Sequence, residues 1–129
     1  MTNVIYILHL EDNPNDSQLV QLALKKAKVE FEYFFIDNEK DYISHLENQR
    51  IDIILSDYHL PDYSGIEALL FAKNNFPHIP FVFVSGTMGE DVAIDSLLNG
   101  ATDYVLKNNN YMTQAFCLLA KANNHSSLF

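Results

Sequence analysis

Basic residues are scarce in this chain. Lysine and arginine together number 8, against 17 aspartates and glutamates, so the formal net charge is −9 at pH 7. Contact with the phosphates of DNA or RNA depends on clustered lysine and arginine, and so does binding to anionic membrane surfaces. We therefore expect this chain to contact neither nucleic acid nor a membrane.

Cysteine and long apolar runs are also scarce. The single cysteine, Cys117, cannot form an internal disulfide, which is typical of a reducing compartment. No apolar stretch reaches the length of a membrane span, and the first three residues carry no basic signal region. These absences favour a cytoplasmic protein. The length suits one domain rather than two, so we predict a single domain over residues 1–129.

Glycine is limited to four residues, and the known glycine-rich phosphate loops are absent. Neither G-x-G-x-x-G nor G-x-x-x-x-G-K-[ST] occurs, which argues against a nucleotide-binding module. Phe83 stands where a nucleophile elbow around Ser85 would need glycine, which argues against a serine hydrolase. The five histidines show no paired ligand spacing, so no transition-metal site is expected.

The chain does contain an alternation of short apolar runs and stretches of helical periodicity. This pattern is typical of an α/β protein with a parallel sheet. It predicts strands at 4–9, 31–36, 51–56, 81–84 and 102–106. Helical spacing is found around 19–27, 39–48, 66–73, 93–98 and 112–119.

Turn and cap residues agree with these predicted elements. Asn13-Pro14 is typical of a helix N-cap followed by proline at the first helical position. Ser64 with Glu67 three residues later forms a capping-box pattern. Asn99-Gly100 predicts a helix end in the left-handed conformation.

Three acidic residues and one lysine follow the predicted strands. Glu11 and Asp12 come after the first strand, Asp57 after the third, and Lys107 after the fifth. Parallel strands place their carboxyl ends at one edge of the sheet, where open α/β folds bind ligands. Carboxylates crowded there resist ionising together unless a cation joins them. A divalent metal site is the simplest hypothesis.

This arrangement resembles the receiver domain of two-component response regulators over nearly the whole chain. The matching segments are Leu10-Glu11-Asp12-Asn13, Asp57 with Pro61 and Gly65 downstream, Ser85-Gly86, and Tyr104-Val105-Leu106-Lys107. The four segments occur in the right order, each at the end of its own predicted strand. The resemblance implies a single flavodoxin-like, doubly wound (βα)5 domain with a parallel five-stranded sheet of order 2-1-3-4-5.

The resemblance also implies a function. Asp57 would accept a phosphoryl group from a histidine kinase or a histidine phosphotransfer protein, and the cofactor would be Mg²⁺. The implied protein ligands of the ion are Glu11, Asp12, Asp57 and the backbone carbonyl of His59. Lys107 and the Ser85 hydroxyl would bind phosphoryl oxygens, and Tyr104 would move when Ser85 is drawn to the phosphate.

Output is expected through the face formed by the fourth helix, fifth strand and fifth helix. That face includes Asp91, Asp95, Asn99 and Gln114. Its acidic character predicts a downstream protein partner of complementary charge, or a second copy of the chain through a less charged part of the face.

Two positions depart from the family pattern. Asn108 follows Lys107, where the family commonly has proline after a cis bond. A cis bond before a non-proline residue costs about 2.5–4 kcal/mol, so a trans peptide and a differently shaped loop are expected. Gly86 replaces a frequent alanine, and the segment 86–89 is expected to be more mobile than usual.

Two alternative functions stay open at this point. One is a Mg²⁺-dependent aspartyl-phosphate phosphatase, although many such enzymes need a carboxylate two residues after the nucleophile and this chain has His59 there. The other is a receiver-like interaction domain that is not phosphorylated, which fold alone cannot exclude. The favoured interpretation is a phosphoacceptor switch rather than an enzyme acting on a separate metabolite.

Overall fold

The computed structural model describes residues 4–86 and 90–107, together with 112, 113 and 116, but not the side chains of 90–92 and 94. A parallel five-stranded sheet has the order β2-β1-β3-β4-β5, as predicted. The strands are β1 (Ile5–Leu10), β2 (Phe31–Ile36), β3 (Ile53–Ser56), β4 (Phe81–Ser85) and β5 (Asp103–Leu106). The helices are α1 (Pro14–Lys26), α2 (Glu39–Asn48), α3 (Gly65–Asn75) and α4 (Glu90–Leu98). Within the described residues, no helix is both long and apolar enough to cross a membrane.

Element boundaries lie close to those predicted from the sequence. β2 and α2 have the predicted bounds, whereas β3 starts at Ile53 rather than at 51. The predicted fifth helix lies largely outside the described residues. Within that stretch Met112, Thr113 and Phe116 are described, and all three have helical backbone.

The predicted helix caps are present. The Asn13 side chain accepts the backbone N–H of Asn15 at the start of α1. Ser64 accepts the N–H of Glu67 over 3.1 Å at the start of α3. After α4, Gly100 has φ of 102°, the left-handed conformation that glycine adopts without strain.

Apolar clusters cover both faces of the sheet, as is usual for a parallel sheet. Leu8 and Leu10 pack on one face with residues of α2 and α3. Ile7, Leu55 and Val105 pack on the opposite face with residues of α1. Successive strand residues therefore alternate between the two helical layers.

This alternation also sorts the residues at the carboxyl ends of the strands. Asp57 and Lys107 each lie two residues beyond a position on the α1 face, and Glu11 lies four residues beyond Ile7 on that face, so all three continue toward α1. Ser85 lies two residues beyond Phe83, which packs on the α2 and α3 face. The sheet thus presents its charged groups beside the N-terminus of α1.

Candidate functional site

Backbone hydrogen bonds fix the charged residues just beyond the strands. The N–H of Glu11 donates to the carbonyl of Ile36 over 2.9 Å, and that of Asp57 to the carbonyl of Leu10 over 3.0 Å. The N–H of Lys107 donates to the backbone carbonyl of Ser85 over 2.9 Å. The ladder of the sheet therefore extends into the site, and these three main-chain positions are set by the fold.

Lys107 is at the centre of a carboxylate cluster. Its Nζ lies 2.6 Å from Oε1 of Glu11, 2.8 Å from Oδ2 of Asp16 and 3.4 Å from Oδ2 of Asp57. Burial works to lower the pKa of Lys107, but hydrogen bonds to Asp16 and Glu11, with the charge of Asp57, raise it above its ordinary value overall. Lys107 is therefore a fixed positive charge in the site.

Asp16 is a residue of this cluster that was not predicted from the sequence. It lies in the first turn of α1, where the helix dipole favours an acidic residue, so its position had a sufficient local explanation. Its contact with Lys107 joins residues 91 apart in the sequence. The sequence feature that could have identified Asp16 is its position two residues after Pro14, because this helix starts at the carboxyl edge of the sheet.

Glu11 is the most deeply buried carboxylate of the cluster. Its side chain is fully buried, and its Oε2 accepts the backbone N–H groups of Asp12 and Asn13 over 3.1 and 3.3 Å. Burial raises the pKa of Glu11 to about 7, because the loss of solvation outweighs the stabilisation by Lys107. The free carboxyl therefore keeps its proton to a higher pH than an ordinary glutamate does.

Asp57 is held by groups on both carboxylate oxygens. Its Oδ1 accepts the N–H of Tyr58 over 2.8 Å, and its Oδ2 faces Lys107. The side chain keeps 13% of its exposure, so one side of the carboxylate is open to solvent. This combination of a fixed orientation and an open side suits a nucleophile that must meet a partner protein.

The acidic residues also form a candidate metal centre. One ligand atom each from Glu11, Asp12 and Asp57 lie within 4.8 Å of one another. Their oxygen donors match the hard ligands that Mg²⁺ prefers, and Asp12 is exposed so the ion can keep several waters. Lys107 offsets one of these charges, which leaves an excess of negative charge for a divalent ion. The donor set therefore fits Mg²⁺.

The other predicted site residues lie on β4, on β5 and in the loop after β3. Ser85 is buried at the end of β4, where it pairs with Leu106 of β5. Tyr104 is partly buried on β5, and its ring centroid lies 6.2 Å from that of Phe83. His59 is exposed in the loop after β3. The predicted trans peptide after Lys107 and the predicted mobile residues 87–89 lie outside the described residues.

Tyr58 links the loop after β3 to α4. Its hydroxyl donates to Oδ2 of Asp95 over 3.2 Å, and its ring packs 5.3 Å from the ring of Phe83. Asp95 belongs to the output face that was predicted from the sequence. A residue adjacent to Asp57 therefore contacts α4 directly.

Gly65 allows the loop to close tightly over the backbone at Asp57. A Cβ atom at Gly65 would lie 2.5 Å from the carbonyl oxygen of Asp57 and 2.6 Å from a ring carbon of Phe83. Both distances are far inside van der Waals contact. A side chain here would therefore displace the backbone that carries Asp57.

We expect Gly65→Ala to lower the free energy of unfolding by about 1–3 kcal/mol, as overpacking does elsewhere. Gly86→Ala is the matched control, because the nearest atom to its Cβ would be Cδ of Lys107 at 3.8 Å. Urea denaturation measures both. Equal losses in the two variants would show that close approach to Asp57 is not the cause.

Comparison with known proteins agrees with this geometry. A family model for the response regulator receiver domain matches residues 7–115. The chain is 26% identical to the regulatory protein LuxO of Vibrio cholerae over 98 residues, which cover 76% of this chain and 21% of LuxO. The chain therefore spans about a fifth of the length of LuxO.

Solved receiver structures share the fold. The Mn²⁺-bound form of response regulator Rcp1 is 27% identical, with 89% of this chain and 91% of that chain covered and a TM-score of 0.72. The phosphorylated cyanobacterial phytochrome response regulator RcpA is 26% identical, with 95% of each chain covered and a TM-score of 0.76. With the family model matching residues 7–115, this chain belongs to the response regulator receiver domain family of two-component signalling.

Proposed function

We propose that this chain is a phosphoacceptor switch whose acceptor is Asp57 and whose metal is Mg²⁺. The observation that carries the proposal is the convergence of Asp57, the acidic pair Glu11 and Asp12, and Lys107 at one edge of the sheet. Carboxylate, metal ligands and fixed cation are the groups that transfer to an aspartate requires.

The attacking atom of the proposed reaction is Oδ2 of Asp57. Oδ2 is the less closely held oxygen, because its contact with the ammonium of Lys107 is 3.4 Å long, whereas Oδ1 accepts the N–H of Tyr58 over 2.8 Å. A bond forms between Oδ2 and phosphorus, and the bond from phosphorus to a histidine nitrogen of the donor protein breaks. The leaving imidazole keeps that electron pair. Transfer then places phosphoryl oxygens within reach of Lys107.

Lys107 must change partners during this reaction. In the structure its ammonium contacts Glu11 and Asp16 more closely than it contacts Asp57. A phosphoryl group on Asp57 supplies a more highly charged acceptor, so the ammonium turns toward it and its contact with Asp16 weakens. The N-terminus of α1 therefore senses the modification through Asp16.

Glu11, Asp12 and Asp57 would hold Mg²⁺, together with the backbone carbonyl of His59. When bound, the ion supplies positive charge that offsets the charge on the transferring phosphoryl oxygens. The Mn²⁺-bound form of Rcp1, at 27% identity, supports a divalent ion in a related receiver. Glu11 would supply a negative charge to the ion, although burial alone disfavours that charge. Asp12 is exposed, so water molecules could also reach the ion.

The switch itself is assigned to Ser85 and Tyr104. Ser85 continues the strand face that carries Phe83, and the Tyr104 ring packs against that same Phe83. A pull on Ser85 by a phosphoryl oxygen would bias a packing equilibrium on this face. The output face around α4 and β5 would then recruit a downstream protein or a second copy.

The phosphatase alternative is weaker on chemical grounds. An acid and base two residues beyond the nucleophile would have to be His59, which is exposed in the loop and packs its ring against Tyr58 with centroids 5.0 Å apart. The donor is therefore expected to be a histidine kinase or phosphotransfer protein, and the phosphoryl group is expected to stay on Asp57.

The test is incubation of the chain with a small phosphodonor, followed by intact-mass measurement. We expect one phosphoryl group per chain in the presence of Mg²⁺ and none in excess chelator. Uptake that is complete in chelator would refute the metal requirement. No uptake under any condition would favour the interaction domain that is not phosphorylated.

Mg²⁺ affinity should increase as the pH rises through about 7. The pKa of Glu11 is about 7 in the fold, above its ordinary value of 4.5, so a proton competes with the ion below that pH. We expect affinity to fall by about tenfold per pH unit on the acid side, as measured by titration calorimetry. Glu11→Gln should flatten this dependence, and a flat profile in the wild type would contradict it.

The raised pKa of Glu11 also affects the stability of the metal-free fold, which decreases as the pH rises. Because the pKa of Glu11 is higher in the fold than its ordinary value of 4.5, the contribution of Glu11 to the free energy of unfolding is fully present below pH 4.5. That contribution is lost as the pH rises through about 7. Mg²⁺ should therefore stabilise the fold most on the alkaline side of this range.

A further inference from the structure

A chain of hydrogen-bonded side chains ends beneath Glu11 on the α1 face of the sheet. His9 of β1 is fully buried, and its Nδ1 is hydrogen-bonded to the hydroxyl of Tyr33. That hydroxyl lies 2.9 Å from Oγ of Ser17 in α1. The amide of Gln21 donates to the same Oγ over 3.3 Å. These groups connect the surface of α1 to the interior below the acidic cluster.

The direction of donation along this chain follows from its first member. The amide nitrogen of Gln21 donates to the hydroxyl of Ser17, and the hydroxyl of Tyr33 is the one other side-chain partner of that hydroxyl among the described residues, so we assign the Ser17 proton to Tyr33. The hydroxyl of Tyr33 then donates to Nδ1 of His9. A ring that accepts a hydrogen bond at Nδ1 has no hydrogen on that nitrogen, so the fully buried imidazole of His9 is the neutral form. A neutral ring that accepts at Nδ1 carries its proton on Nε2.

The Nε2–H of His9 faces the carboxylate of Glu11. Nε2 lies 4.0 Å from Oε1 of Glu11 and has no hydrogen-bond partner among the described residues. The opposite direction of donation would turn a lone pair of Nε2 toward that carboxylate, which is repulsive. It would also leave the Ser17 hydroxyl proton without an acceptor in this chain.

We propose that His9 is a positioning residue for Glu11, which it restrains through a buried Nε2–H whose tautomer is fixed by Tyr33. The proposal rests on the proposed function for the role of Glu11 as a metal ligand. The present separation of 4.0 Å is longer than a hydrogen bond, because Lys107 holds the same Oε1 at 2.6 Å. When Lys107 turns to a phosphoryl oxygen, His9 is the buried donor left beneath Oε1.

Positioning of this kind has a measurable consequence for the metal. A donor behind a metal ligand fixes its orientation, and loss of such a partner lowers metal affinity by about 10–100-fold. His9→Phe removes the donor at similar volume, whereas His9→Gln keeps an N–H near the same place. Tyr33→Phe removes the hydroxyl that fixes the tautomer.

The experiment measures the affinity of the whole chain for Mg²⁺ by titration calorimetry. We expect His9→Phe to weaken binding by about tenfold or more, and His9→Gln to restore it close to the wild-type value. Tyr33→Phe should weaken binding less. The matched control is Tyr42→Phe, which removes a buried hydroxyl that donates to the carbonyl of Ala68 over 2.8 Å on the opposite face of the sheet.

A second measurement needs neither metal nor phosphoryl group. Nitrogen NMR of the imidazole should show the Nε2–H tautomer of His9 in the wild type, and a loss of that preference in Tyr33→Phe. The Nδ1–H tautomer in the wild type would overturn the proposal, even if His9→Phe does not fold. Equal Mg²⁺ affinity in the wild type and His9→Phe would also overturn it.

The two proposals fail in different ways. A wild type that binds Mg²⁺ but takes up no phosphoryl group refutes the proposed function, while the tautomer and the affinity series still support the role of His9. Normal phosphoryl uptake with an unchanged affinity in His9→Phe refutes only the positioning role. A wild type that binds no Mg²⁺ overturns the metal assignment and the positioning role together.

Discussion

Asp57→Asn should abolish phosphoryl uptake while the fold remains intact. An asparagine side chain keeps the oxygen that accepts the N–H of Tyr58, so the local backbone has no reason to move. It lacks the anionic oxygen that attacks phosphorus. Incubation with a small phosphodonor and Mg²⁺, followed by intact-mass measurement, should show no added phosphoryl group.

The same variant should be more stable than the wild type in the absence of metal. Asp57 lies 3.4 Å from Lys107, farther than Glu11 or Asp16, and has an oxygen within 4.8 Å of oxygens of Glu11 and Asp12, so we expect loss of its charge to relieve more repulsion than it costs in attraction. We expect a gain of up to about 1 kcal/mol in the free energy of unfolding.

Asp62→Asn is the control for this prediction. Asp62 is exposed in the same loop and undergoes the same chemical change. It should label like the wild type. Wild-type labelling of Asp57→Asn would place the acceptor elsewhere, and loss of labelling in Asp62→Asn would show that the loop rather than the carboxylate was disturbed.

Lys107→Met should destabilise the fold and increase its response to Mg²⁺. Removal of the ammonium leaves the buried carboxylate of Glu11 without its closest partner. Glu11 then takes up a proton rather than remaining charged, which limits the loss to about 1–3 kcal/mol at neutral pH. The loss should grow as the pH rises, and saturating Mg²⁺ should recover more stability than in the wild type.

Denaturant unfolding with and without Mg²⁺ measures these effects. Lys25→Met is the control, since Lys25 is exposed at the end of α1 and has no ion pair among the described residues. Equal stability of the two variants at alkaline pH would mean that the contacts of Lys107 contribute little to the fold. Phosphoryl uptake by Lys107→Met should persist at a reduced rate, because Asp57 and the metal ligands remain.

The fold was largely predictable because its signals are local. The apolar runs predicted all five strands, and the Asn13 and Ser64 caps occur where the sequence placed them. The differences are at the ends of elements. Ile51 is buried and apolar, but the regular strand begins only at Ile53, after Asp52 has accepted the N–H of Tyr6.

The candidate site was predictable only in part. Glu11, Asp12, Asp57 and Lys107 could be named because each directly follows a strand whose direction is fixed. Their roles remain predictions.

Asp16 and His9 could not be identified in the same way. The contact of Asp16 depends on the length and direction of the Lys107 side chain, which connects residues 91 apart. His9 stands in a run of apolar residues, and its polar partners come from β2 and α1. Local sequence patterns do not indicate partners that only the tertiary fold brings together.

The order of the charges along the chain bears on how the domain folds. The contacts of Lys107 join residues 91 and 50 positions apart, and the acidic members of both pairs precede it. During synthesis, which proceeds from the N-terminus, β1 and β3 can pair before β5 has emerged. A nascent sheet of this kind gathers Glu11, Asp16 and Asp57 at one edge with no ammonium among them. Docking of β5 supplies that charge and reduces the repulsion among the three carboxylates. Pairing of the last strand is therefore coupled to assembly of the site.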